Sequence, residues 1–151
     1  MPSIQIELKN ADKLNAMLKE VGVDLNDLSS ELRDVGSMLV EFYPQEVFPS
    51  EGRAIGERWL DLKKSTRRAK NRLFPGASIL VATGAMRDAF SFDSDTNSLT
   101  FSNSAEYFQF HEGGTSKMPA RRSMTENRVV MKKATEIIAR GVFERISRTW
   151  K

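Results

Sequence analysis

A stripe of apolar side chains between residues 25 and 42 constrains the fold of this chain more than any other feature. Its members follow one another by alternating steps of three and four, and they are Leu25, Leu28, Leu32, Val35, Leu39 and Phe42. This spacing places all of them on one side of an α-helix, so the stripe predicts a long helix capped by Asp24 with one buried face. Pro44 disfavours helical geometry at Tyr43, and a kink or an end is expected there.

A second long helix is predicted from about residue 126 to residue 148. Its apolar positions also recur at helical spacing, and they are Val130, Ala134, Ile137, Ile138, Gly141 and Val142. A short helix is predicted over residues 105–111. A further helix is predicted between a cap at Asn10 and an end at Gly22, because Leu14, Met17, Leu18 and Val21 recur at helical spacing. These segments supply most of the helical part of the expected fold.

Strands are predicted where apolar and polar residues alternate. Residues 3–8 alternate in this way, and so do the segments on either side of the polar turn at residues 93–97, which suggests a β-hairpin. The expected fold class is therefore α+β. It combines a small, mostly antiparallel β-sheet with helices packed on one face, one long helix in the N-terminal half and one at the C-terminal end.

The length of 151 residues fits a single domain over residues 1–151 with a core of its own. The chain has no cysteine, which excludes a disulfide framework, a thiolate zinc site and a cysteine nucleophile. It has no apolar run of the roughly 20 residues that span a bilayer, and the start of the chain does not resemble a secretory signal. We therefore expect no membrane partner and a protein that stays where it is made.

The charge is distributed unevenly along the chain, although the net charge is only +3. Residues 1–51 carry a net charge of −6, residues 52–73 carry +6, residues 74–116 carry −4 and residues 117–151 carry +7. Alternating segments of this kind suit head-to-tail contact between copies of one chain. They are equally typical of a surface that binds nucleic acid, or of helix faces that are simply exposed to solvent.

The basic stretch at residues 58–72 is predicted to be a helix with few apolar residues or a partly ordered arm. It contains one tryptophan, Trp59, which suits an anchor in a core or an interface. Four of its cations are candidates for non-specific contact with DNA in a channel, namely Lys63, Lys64, Arg67 and Arg68. The loops near 49–57 and 112–118 are predicted to be mobile and to order on assembly.

Catalytic chemistry has little support in the sequence. The single histidine, His111, stands beside Glu112, but the chain offers no convincing third member of a catalytic group. The segments around Asp93 and Gly113 lack the spacing of calcium-binding and phosphate-binding loops. We therefore expect a protein that is not an enzyme and that uses no metal and no cofactor.

An ordered series of short motifs covers roughly residues 30–148. The series comprises Gly56, Trp59, Leu62, Thr66 and Lys70, then Ile79-Leu80, Thr83-Gly84-Ala85-Met86-Arg87-Asp88, Tyr107, His111, Gly113 or Gly114, and Met118-Pro119-Ala120-Arg121. This order resembles the phage virion morphogenesis family, of the Mu-like G protein and tail-completion type. Two departures are Met86, where leucine is usual, and the residues after Arg121, where a proline and an aromatic residue often follow.

The resemblance implies a structural virion protein, made in the host cytoplasm, that completes the tail and joins it to the head. Its implied partners are other copies of itself in a ring, which could be a hexamer, and other neck, tail-tube or connector proteins. The protein-interface residues that we select are Trp59, Tyr107, His111, Gly114, Pro119 and Arg121. The alternative hypothesis is a basic nucleic-acid-binding module that uses residues 58–72 and the C-terminal helix.

Overall fold

The computed structural model describes residues 2–7, 12–20, 22–124 and 127–150. Three strands occur in it, β1 (Ser3–Glu7), β2 (Phe90–Ser94) and β3 (Ser98–Asn103). The α-helices of the described residues are α1 (Asp12–Lys19), α2 (Ser29–Phe42), α3 (Lys64–Leu73), α4 (Phe108–Gly113) and α5 (Arg128–Thr149). The predicted α+β class is therefore confirmed, with a long helix in each half of the chain. Residues 8 and 126, at which a strand was predicted to end and a helix to begin, lie outside the described residues.

The sheet is antiparallel, with β3 in the centre between β1 and β2. Ile6 pairs with Leu99 across one ladder, and Phe92 pairs with Phe101 across the other. Alternation along β3 buries Leu99 and Phe101 completely, because this face of the sheet is covered by α2. Helix α5 packs against α2, so the two long helices and the sheet enclose a single apolar core.

Helix α2 begins four residues later than the apolar stripe predicts. Leu25 and Leu28 are buried as expected, but both precede the helix, Leu25 in a turn and Leu28 directly before Ser29. The reason is that Asp24 Oδ1 accepts a hydrogen bond from Asn26 N at 2.9 Å and Asp27 Oδ1 accepts one from Ser29 N at 3.0 Å. Such local bonds from aspartate to the following backbone favour turns over helix.

The helix continues past Pro44 as a π-helical turn over Tyr43–Val47. Pro44 has no backbone N–H, and a wider turn, with Phe48 N donating to Tyr43 O at 3.1 Å, accommodates its ring. This extension brings the fully buried Tyr43 ring against Phe90 and Phe101, with centroid distances of 5.0 Å to each. The aromatic cluster therefore joins the helical layer to the sheet.

The basic stretch at residues 58–72 is only partly helical. Residues 57–63 belong to no helix or strand, and α3 begins at Lys64. Trp59 is buried while the next residue, Leu60, is 61% exposed, so these two neighbouring side chains lie on opposite sides of the backbone. The loop at residues 49–57 contains turns, and the loop at residues 112–118 contains a bridge between Thr115 and Met118. The mobility of these loops stays a prediction.

Gly36 allows α2 to approach the sheet closely. A Cβ atom at this position would lie 2.3 Å from Cδ2 of Phe92, which is far inside van der Waals contact. We expect Gly36→Ala to lower the free energy of unfolding by about 1–3 kcal/mol, because the helix or the ring must shift. Urea unfolding followed by circular dichroism measures this change.

Gly113→Ala is the matched control, because a Cβ atom there would have no neighbour within 4 Å. This control is expected to be neutral or to stabilise the protein by up to about 1 kcal/mol. Equal stability of both variants and the parent chain would contradict the close packing of α2 on β2.

Candidate functional site

The motifs that carry the family resemblance lie together around α4, although they are scattered along the sequence. Arg121 makes the central connection. Its backbone N–H donates to His111 O at 2.7 Å, its Nε donates to Leu60 O at 2.7 Å and its Nη2 donates to Asp61 O at 3.1 Å. The segment at 57–63, the segment after α4 and the end of α4 itself are thereby held side by side.

Two of the selected interface residues serve the interior of the chain instead. Trp59 is 4% exposed, its ring meets Phe48 edge-on at 5.3 Å and its Nε1 donates to Arg122 O at 2.9 Å. Arg121 is also 4% exposed, and its Nε and Nη2 both donate to backbone carbonyls. In this fold both side chains therefore serve intrachain packing and hydrogen bonding, and their selection as interface residues stays a prediction.

Other selected residues do lie at the surface. Tyr107 is 46% exposed, Pro119 is exposed and His111 is half-buried. Phe110, which we did not select from the sequence, is 50% exposed on the same short helix. We call these four residues, Tyr107, Phe110, His111 and Pro119, the α4 surface.

Gly114 shapes the turn that follows α4. Its φ angle is 72°, in the left-handed region, and a Cβ atom there would lie 2.8 Å from Ala120 N and 3.1 Å from Met118 O. A side chain at this position would therefore separate the two arms of the turn. The role of Gly114 at the α4 surface is to let the backbone of residues 114–120 fold back on itself.

A cavity of about 210 Å³ adjoins the α4 surface. Lys70, Thr83, Tyr107 and His111 contribute polar groups to its lining, and the remaining wall comes from residues 79–86. The Lys70 ammonium donates a hydrogen bond to Val81 O. Sequence analysis did not predict this cavity, although Lys70, Thr83, Tyr107 and His111 all belong to the motif series.

The two basic groups of this cavity are held away from their ordinary titration ranges. Burial lowers the pKa of Lys70, and the neighbouring Arg67 lowers it further. Burial is also the main cause that lowers the pKa of His111, followed by the charge of Arg121. His111 Nδ1 is buried and has no hydrogen-bond partner among the described residues.

The carboxylate of Glu112 has a structural role, because it hydrogen-bonds to two residues that follow α4 in the sequence. Its carboxylate accepts hydrogen bonds from Ser123 N at 2.7 Å, Ser123 Oγ at 2.5 Å and Met124 N at 3.1 Å. The Tyr43 hydroxyl donates to Ser123 O at 3.0 Å, and burial, followed by the charge of Glu112, raises the pKa of Tyr43. Glu112 therefore ties the segment after α4 to the core.

The candidate DNA contacts lie on and just before α3, which buries none of its own described residues. Lys63, Lys64 and Arg68 are exposed. Arg67 is instead paired with Asp61, donating from Nε at 3.1 Å. On α5, Arg145 Nη1 contacts the buried Glu31 at 3.3 Å and so belongs to the packing between helices.

In the described part of the chain, no helix combines the length and the apolar composition needed to cross a bilayer. Those same residues hold no cluster of three or more histidine, aspartate or glutamate side chains placed to share a metal ion. No family model, no curated protein and no solved structure shows a significant match to this chain.

Proposed function

We propose that this protein is a structural component of a phage virion, at the head–tail junction or the tail end. It completes the tail and joins it to the head through contacts between proteins. One observation carries the proposal. Several motif segments of the family resemblance meet in the fold, because Arg121 hydrogen-bonds to Leu60, Asp61 and His111, and the adjoining α4 segment exposes the rings of Tyr107 and Phe110.

The composition of the α4 surface supports a protein partner. Aromatic side chains are enriched at the centres of interfaces, because they bury a large area at a small cost in conformational entropy. Tyr107 and Phe110 stand on a helix anchored by the buried Phe108, so their backbone is already positioned before a partner binds. The proposed partners are further copies of this chain in a ring and other neck, tail-tube or connector proteins.

A second candidate function is nucleic-acid binding through α3. The exposed cations Lys63, Lys64 and Arg68, on a helix with no buried side chain among the described residues, favour contact with phosphates. Such contact carries no sequence specificity by itself. It is compatible with an assembly protein whose ring surrounds DNA, so the two functions differ mainly in which surface is essential.

The test is complementation of a host in which only this gene of the phage is disrupted. The parent chain is expected to restore intact particles, whereas Phe110→Asp is expected to leave separate filled heads and free or overlong tails. The physical reason is that burying an unpaired carboxylate in an interface costs several kcal/mol, and truncating an interface hot spot already costs about 2 kcal/mol or more. Electron microscopy of lysates counts joined and separate particles.

Phe143→Asp provides a matched control, because Phe143 is 68% exposed on α5, away from the α4 surface. Both variants should keep the unfolding midpoint of the parent chain. If the two variants lower particle yield equally, the assignment to the α4 surface is wrong. If the disrupted gene still gives normal particles, the assembly function itself is wrong and nucleic-acid binding becomes the better hypothesis.

A further inference from the structure

The cavity beside the α4 surface has the polar lining of an anion site. Its polar side chains are the ammonium of Lys70, the imidazole of His111 and the hydroxyls of Thr83 and Tyr107. Among the described lining residues, none is acidic. Each of these groups can donate a hydrogen bond, and the lysine does so as a cationic ammonium.

The acidic groups near the cavity are already engaged by other partners. Asp88 forms a paired contact with Arg87, with distances of 2.6 and 2.7 Å. Glu51 accepts a hydrogen bond from Ile79 N at 3.1 Å. At Lys70 the positive charge of Arg67 and the negative charge of Glu51 act in opposite directions, and at His111 the charge of Arg121 acts. The Lys70 ammonium, with no acidic side chain among the described lining residues, therefore favours a negatively charged ligand.

His111 lines the cavity and has one unusual ring nitrogen. Buried polar atoms in folded proteins almost always have a hydrogen-bond partner, yet its Nδ1 has none among the described residues. The Lys70 ammonium donates one of its three N–H groups to Val81 O and has two others available. An anion in the cavity would attract the protonated imidazolium and take a further donor from Lys70.

We propose that this cavity binds a carboxylate presented by a partner protein, on an acidic side chain or a chain end. That the carboxylate comes from a protein rests on the proposed function, whereas the preference for a carboxylate does not. The volume of about 210 Å³ is on the scale of one side chain, and the exposed rings of Tyr107 and Phe110 beside it would hold the rest of the partner. The cavity thereby fixes the orientation of a partner that the aromatic rings bind.

The experiment follows the His111 imidazole by nuclear magnetic resonance, which is unambiguous because the chain has one histidine. The probes are N-acetylglycine, which carries a carboxylate, its neutral analogue N-acetylglycinamide, and dimethyl phosphate, which represents a nucleic-acid backbone. N-acetylglycine is expected to shift the His111 signal saturably and to raise the pKa of His111, because the bound anion favours the charged imidazole. The neutral amide should do neither.

Lys70→Met tests the assignment of the ammonium. This substitution keeps the apolar stem and is expected to weaken N-acetylglycine binding about tenfold or more, since a charge-assisted hydrogen bond is lost. Lys132→Met is the control, because Lys132 lies on α5 with 78% of its side chain exposed. If Lys70→Met does not keep a dispersed amide spectrum, Thr83→Val takes its place, with weaker binding again expected.

Three results would overturn the proposal. One is a linear drift of the His111 signal that is the same for N-acetylglycine and its amide. Another is an unchanged affinity for N-acetylglycine in Lys70→Met, or in Thr83→Val if that variant takes its place. The third is tighter binding of dimethyl phosphate than of N-acetylglycine. These outcomes are independent of particle assembly: lost carboxylate binding leaves the complementation result standing, and a failed complementation test leaves a measured carboxylate site standing.

Discussion

Arg121→Glu is expected to lower the free energy of unfolding by about 3–5 kcal/mol, which is a large part of the stability of a domain this size. Arg121 is 4% exposed and donates to Leu60 O and Asp61 O. The substitution removes both donors and buries a carboxylate opposite two carbonyl oxygens, which repel it. Urea unfolding followed by far-ultraviolet circular dichroism measures the change.

Arg122→Glu makes the same change of charge at the next residue, whose side chain is exposed. Its effect is expected to stay within about 0.5 kcal/mol, as for most surface substitutions. The comparison separates burial from charge. If Arg121→Glu unfolds like the parent chain but fails in assembly, Arg121 is an intersubunit contact after all, and the intrachain role described above is wrong.

Trp59→Ala is expected to lower the free energy of unfolding by about 3–5 kcal/mol, the usual range for removing a buried aromatic ring. The loss includes the edge-on contact with Phe48 and leaves Arg122 O without the Trp59 Nε1 donor. Trp59→Phe keeps much of the ring volume, so it is expected to lower the free energy of unfolding by only about 1–3 kcal/mol. This smaller loss arises mainly from Arg122 O, which no longer accepts a hydrogen bond. Thermal and urea unfolding of both variants give the two contributions.

The chain contains a natural control in its second tryptophan. Trp150 is 74% exposed, and Trp150→Ala should change the unfolding free energy by less than about 0.5 kcal/mol. Circular dichroism is preferable to fluorescence here, because each substitution removes one of only two tryptophans. Equal stability of Trp59→Ala and Trp150→Ala would show that Trp59 is not a core residue.

Periodicity predicted the elements of the fold well and their boundaries less well. The hairpin of β2 and β3 follows from alternating residues around a polar turn, and both long helices follow from apolar spacing. The start of α2 does not follow from it, because Leu25 and Leu28 fit a helical stripe but precede the helix, where Asp24 and Asp27 accept hydrogen bonds from the following backbone. A pattern of burial does not reveal which backbone conformation produces it.

Site residues were harder to predict, because a motif does not show whether its side chains point inward or outward. Trp59 and Arg121 were chosen as interface residues, yet their hydrogen bonds join residues about 60 positions apart inside the chain. Such partners depend on tertiary structure and leave no local signal. Tyr107 is exposed as an interface residue requires, and Phe110, three residues further along α4, was overlooked because apolar residues are more often buried.

The pairing of β1 with β3 has a consequence for biosynthesis. Strand β1 occupies residues 3–7, but its ladder partners are residues 98–102, so its hydrogen bonds form only after about two thirds of the chain has left the ribosome. Arg145 extends this dependence, because it donates to Asp24 O, Asp27 O and Glu31 near the other end of the chain. Contacts this distant in sequence slow folding and expose apolar segments in the meantime. A nascent chain of this protein is therefore expected to keep apolar segments exposed until its last helix has been synthesised.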